Sequence, residues 1–117
     1  MVLDDQRLSR SARGRITKAD RIAYSMVSFW EIALKISRKD FDLDLPQSWD
    51  QELLAELRTL GALRVDIEPV HCRHLQNLPW HHKDPFDRML IAQAAIEHLT
   101  VLTADVRFRD YGIRVVW

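Results

Sequence analysis

Apolar residues recur along this chain with two periods, one near four and one of two, and the way these periods take turns predicts its elements. Residues 5–19 are mostly polar, with Leu8, Ala12 and Ile16 at four-residue spacing, which predicts a largely exposed helix. A short strand is expected over 21–25. Over 27–37, Phe29, Ile32, Ala33 and Ile36 share one stripe, the pattern of a helix packed on one side. Residues 41–45 alternate and stop at Pro46, as a linker or edge segment would. Ser48 is placed to cap a helix over 49–60, with Glu52 nearby and Gly61 as its stop. Leu63, Val65 and Ile67 alternate with polar residues and predict a strand.

Pro69 opens a helix that runs to residue 77, since proline fits the first helical position. Residues 79–83 read as a loop, and Asp84 caps a helix over 85–98. A strand over 100–103, a helical turn over 105–110 and a last strand over 113–117 complete the chain. Strands separated by helices imply the α/β class with a mostly parallel sheet, here in a single domain spanning 1–117.

Composition narrows the possibilities. Of 117 residues 47% are hydrophobic, enough for one globular core. The 17 basic and 17 acidic residues cancel, so net charge gives no support for a nucleic-acid partner. One cysteine, Cys72, excludes a disulfide framework and a cysteine zinc site within the chain; it reads as a small buried hydrophobe. No apolar run approaches the roughly 18 residues of a membrane span, and no signal-peptide core is seen. A cytoplasmic protein without membrane contact is expected. Four tryptophans, Trp30, Trp49, Trp80 and Trp117, are many for so small a core and suggest self-association.

The candidate chemistry lies in acids at element ends. Asp84-Pro85-Phe86-Asp87 places two carboxylates three residues apart at a helix start. Asp84 can cap the helix and Asp87 can complement its dipole, which explains both without a metal. Ser28 to Glu31 has capping-box spacing, and Glu31 precedes Lys35 by four residues. Asp105 can cap the turn after the strand. Each acid alone is therefore explained structurally, yet four acids at element ends could converge on one divalent ion. His81-His82 reads as a solvated loop, and His71 and His74 as a helix face without an acidic partner. There is no glycine-rich phosphate loop and no nucleophile elbow.

Three blocks, taken in order, resemble the PIN domain, in particular the VapC-like ribonuclease toxins. They are residues 28–35 (Ser-Phe-Trp-Glu-Ile-Ala-Leu-Lys), residues 84–94 (Asp-Pro-Phe-Asp-Arg-Met-Leu-Ile-Ala-Gln-Ala), and Leu102-Thr103-Ala104-Asp105 with Phe108 and Tyr111-Gly112. The resemblance implies a three-layer α/β/α domain whose acids hold Mg²⁺ or Mn²⁺ to activate water for RNA cleavage. Carried over by residue, it makes Glu31, Asp87 and Asp105 catalytic metal ligands and adds Asp84 as a fourth ligand. It also implies an RNA substrate, a cognate antitoxin of a type II pair, and a homodimer.

The chain departs from the pattern at its start. The family opens with an apolar strand ending in an aspartate, whereas Leu3-Asp4-Asp5-Gln6-Arg7 resembles a later segment. Asp4 lies only 27 residues before Glu31, so the expectation is that the first strand and its aspartate are missing. Weak or absent cleavage follows from that expectation. The alternative is an inactive PIN-like module that keeps the dimer and antitoxin surfaces, and a third reading is a non-nuclease α/β fold whose acids only cap helices. A smaller departure is His98-Leu99-Thr100, where glycine would normally end the helix.

Overall fold

The structure, a computed structural model, describes residues 14–16, 18, 21–38 and 45–117. Residues 14–16 and 18 are helical, within the helix expected over 5–19. The rest of that helix, Asp4, and residues 41–44 of the expected linker lie outside the described residues.

Strand β1 (Ala23–Ser25) runs directly into helix α1 (Met26–Arg38). The junction is capped by Ser25, whose Oγ accepts from the Val27 amide at 3.1 Å. Ser28, expected to cap, lies inside the helix and is buried. The expected stripe is also rotated: Val27, Ser28 and Ile32 are buried, while Ala33 and Ile36 face outward. Phe29 is partly buried, its ring 5.9 Å from Tyr24 and 5.8 Å from Trp49.

Helix α2 (Trp49–Thr59) starts where predicted, but the Ser48 side chain makes no cap bond. Backbone turns do the work instead, with the Trp49 amide donating to the Pro46 carbonyl at 3.0 Å. Its end is a Schellman motif: the Ala62 amide reaches the Leu57 carbonyl and the Gly61 amide that of Arg58. That closure needs the left-handed φ of 69° at Gly61.

Strand β2 (Leu63–Val65) is followed by α3 (Pro69–Gln76), α4 (Pro85–Glu97), β3 (Val101–Leu102), a 3₁₀ helix (Val106–Tyr111) and β4 (Val115–Val116). Helix α4 ends at His98, held at φ 55° and ψ 44°. The turn that glycine usually makes is thus made by a residue that takes this conformation at some cost.

β1 pairs in parallel with β2, and β3 pairs in parallel with β4. No hydrogen-bonded ladder joins the two pairs among the described residues. Helix α4 connects them. On one side the Gln93 amide accepts from Ser25 Oγ at 2.5 Å and donates to the Asp66 carbonyl at 3.2 Å. On the other, Ile91 and Ala92 pack with Leu78 and Phe108, and around these lie Val101, Tyr111, Ile113 and Val115. Helix α4 is therefore buried along its middle, from Ile91 to Ala94, with Gln93 as the one polar side chain of that stretch.

Arg88 is the buried cation of α4, 4% exposed. Its guanidinium donates to the carbonyls of Pro79 (2.8 Å) and Leu78 (3.3 Å) and lies 3.8 Å from the centre of the Trp80 ring. It thereby ties the 78–80 loop to the first turns of the helix that carries the acids.

Two expectations are corrected here. Cys72 is exposed, because it lies on the outer face of α3. His71, one position earlier, takes the inner face and is fully buried. It also has an acidic partner: Nε2 lies 2.9 Å from Glu97 Oε1 on α4, while Nδ1 accepts from the backbone amide of Glu68 at 2.9 Å. The second bond fixes the tautomer, so Nε2 carries the hydrogen and donates to Glu97.

Candidate metal centre

Asp84 has non-helical dihedrals, and its Oδ1 accepts from the amides of Phe86 (2.9 Å) and Asp87 (3.1 Å). Among the described residues, its other oxygen makes no hydrogen bond. Pro85 follows at the first helical position, and Asp87 lies on the first turn of α4. Glu31 comes from α1, just beyond the carboxyl end of β1, and pairs with Lys35 at 3.3 Å. Asp105 follows β3 and caps the 3₁₀ helix through the Arg107 amide.

One oxygen each from Glu31, Asp84 and Asp87 lies within 4.8 Å of the other two. Asp105 stands outside this group and meets it through Arg107. The Arg107 guanidinium chelates Asp105, with Nη2 to Oδ2 at 2.6 Å and Nε to both oxygens at 3.1 Å. The same Nη2 lies 3.7 Å from Asp87 Oδ2. Four acids predicted from three separate segments are thus brought to one place, three in direct proximity and one across a bridging cation.

The electrostatics follow from this arrangement. Burial pushes the Asp87 carboxyl up to about 7, and the charges of Asp84, Glu31 and Asp105 add to the rise. Asp105 is held below the usual carboxylate range, chiefly by its hydrogen bond from Arg107. Among the described residues the cations paired with these acids are Lys35 and Arg107, so the carboxyl groups outnumber the positive charges beside them. A divalent ion would offset that excess and favour the ionised form of Asp87. The donors are all carboxylate oxygens, the set that suits a hard ion such as Mg²⁺ or Mn²⁺. The residues present therefore fit such an ion, and Glu31, Asp84 and Asp87 could hold it in this geometry.

Sequence reasoning missed two residues at this site. The signal for Arg107 is its spacing, since an arginine two residues after a capping aspartate is well placed to fold back on it. His82, expected in a solvated loop, has both ring nitrogens buried and without a hydrogen bond among the described residues. Its ring packs against Tyr111, 5.3 Å away, and its own amide donates to the Tyr111 hydroxyl at 3.0 Å. Nothing in the local sequence announces that contact, because Tyr111 is 29 residues downstream.

An acid group gathered past the ends of parallel strands, with a capped Asp-Pro-Phe-Asp helix start as its centre, defines the class. The profile of the PIN domain matches residues 1–113, and the chain belongs to the PIN-domain family. The chain is similar to ribonuclease VapC22 of Mycobacterium tuberculosis (strain ATCC 25618 / H37Rv), at 34% identity over 111 residues, which cover 92% of this chain and 81% of that protein. No solved structure matches. Family and described strands agree on an α/β fold with parallel pairing. Among the described residues no helix is long and apolar enough to cross a membrane.

Proposed function

We propose that this chain is a VapC-like endoribonuclease toxin that cleaves RNA with the help of Mg²⁺ or Mn²⁺, acting within a type II toxin–antitoxin pair. The observation that carries this reading is the close group of Glu31, Asp84 and Asp87 oxygens, with Asp87 pushed up to about 7 by burial and by its fellow acids. Glu31, Asp84, Asp87 and Asp105 are the proposed ligands, and Glu31, Asp87 and Asp105 the proposed catalytic set. A bound divalent ion would supply an activated water and offset the charge developing on the phosphate.

The chain's own residues prepare the place. The cap bonds of Asp84 fix its carboxylate against the start of α4. Arg88 locks the loop before that helix, so Asp87 is presented from a rigid first turn. Lys35 orients Glu31. Rigid ligands matter because small misplacements of a reacting group are costly. An antitoxin and a second copy of this chain are the proposed protein partners. Exposed Trp30 and Trp80, 57% and 76% accessible, are candidate anchors for such contacts.

A second reading, an inactive PIN module that only binds partners, is favoured by one feature: Asp105 is engaged by Arg107 and stands apart from the other three acids. Cleavage of single-stranded RNA with Mn²⁺ separates the two. On the first reading Asp87→Asn lowers the rate by about 100-fold or more, because metal and water lose their fixed geometry. Wild-type protein that binds Mn²⁺ without cutting RNA supports the second reading. Cleavage that Asp87→Asn leaves intact would overturn the first.

A further inference from the structure

Arg107 sits where two demands on this site conflict. Its side chain is 55% exposed, yet its guanidinium is engaged on the acid side, with Asp105 at 2.6 Å and Asp87 at 3.7 Å. Of its three nitrogens, Nη1 makes no hydrogen bond among the described residues. An ion that took Asp105 and Asp87 as ligands would compete with this cation for the same oxygens. An RNA backbone drawn to the same place would meet four carboxylates, and the chain's net charge of zero supplies no general attraction. A guanidinium freed from its carboxylates offers a planar fork matched to phosphate oxygens, on a long stem already facing solvent.

We propose that Arg107 is the phosphate-positioning residue of this site and that it exchanges partners: it neutralises Asp105 and Asp87 while they hold no metal, and turns to an RNA phosphate when an ion takes them over. The inference rests on the proposed metal-dependent reading of the same acids. The divalent ion replaces the arginine on the carboxylates, and the released cation offsets one charge of the incoming backbone. Lys35 is less suited to this part, because its partner Glu31 lies within the close three-acid group and a lysine binds phosphate only as a point charge.

The test reads two affinities whose expected changes have opposite signs. Mn²⁺ binding is measured by calorimetry on wild type, Arg107→Gln and Arg107→Lys. Binding of a short fluorescent single-stranded RNA is measured at saturating Mn²⁺ as a function of salt, with KM in its place where the RNA is cut. Arg107→Gln should tighten Mn²⁺ by several-fold, because a competing cation is gone. It should weaken RNA binding by about ten-fold and reduce the slope of log affinity against log salt by about 0.7, the signature of one lost phosphate contact on a single strand. Arg107→Lys should fall between wild type and Arg107→Gln in both readings. If Arg107→Gln tightened both ligands, Arg107 would be a mere block on the site. If it weakened Mn²⁺ or left RNA affinity unchanged, its role would be structural, and either result overturns the proposal. Failure of wild type to bind Mn²⁺ at all would sink the metal reading itself, and this proposal with it.

Discussion

Asp87 carries the tension of the site. With its carboxyl pushed up to about 7, the folded protein keeps a proton that the unfolded chain gives up near its ordinary value of 3.8. The folded state therefore binds more protons between those limits, so stability falls as pH rises through that window and levels off above it. The melting temperature of metal-free protein should drop between pH 5 and pH 8, and Asp87→Asn should flatten the decline. A wild-type melting temperature that holds or rises over this range would show that Asp87 ionises freely. A divalent ion must displace the same proton, so Mn²⁺ affinity should fall by up to about ten-fold per pH unit below 7. The four acids were legible in the sequence because each sits in a recognisable setting: Asp84 before proline, Asp87 one turn on, Glu31 four before Lys35, Asp105 after a short apolar strand. Their unequal standing was not legible. Whether Asp105 joins the other three depends on where a flexible arginine side chain comes to rest, and local spacing does not encode that.

Helices and turns followed their end signals more closely than their stripes. Pro69, Gly61 and Asp84 each mark an element end as predicted, since each acts through its own backbone geometry or a bond to the next few residues. The buried face of α1 differs from the apolar stripe of its sequence, because Trp30, Ala33 and Ile36 are apolar yet point outward. An apolar stripe intended for a partner is indistinguishable, in sequence, from one intended for the core. The α3–α4 contact was missed for a related reason: His71 meets Glu97 26 residues away. This pair lends itself to mutation. His71→Leu fills similar space but strands the Glu68 amide and loses the bond to α4, and should cost about 2–3 kcal/mol in a urea melt. Cys72→Ser, next to it but exposed, should change stability by no more than about 0.5 kcal/mol. Equal costs for the two would mean that His71 is held by packing alone and that its hydrogen bonds contribute nothing.

Across the whole molecule, the alternation of strand and helix was enough to give the α/β class and the parallel pairing. It could not give the division of the described strands into two pairs, since pairing partners are set by tertiary contacts rather than by any one segment. That division has a kinetic meaning. Each ladder is only two or three residues long, and no hydrogen bond couples one pair to the other among the described residues, so the two can open separately. Their common support is the buried middle of α4, where Ile91 and Ala92 are wholly inaccessible. In amide hydrogen–deuterium exchange, the Ile91–Ala94 amides should be released only by global unfolding, with a denaturant dependence equal to the equilibrium slope. Leu63–Val65 and Val115–Val116 should exchange earlier, through openings that depend weakly on denaturant and differ between the pairs. Exchange of all these amides as one class would show a sheet that opens as a unit. On the expected outcome, α4 is the last part of the protein to let go, and it keeps Asp84 and Asp87 in place while the strands beside them breathe.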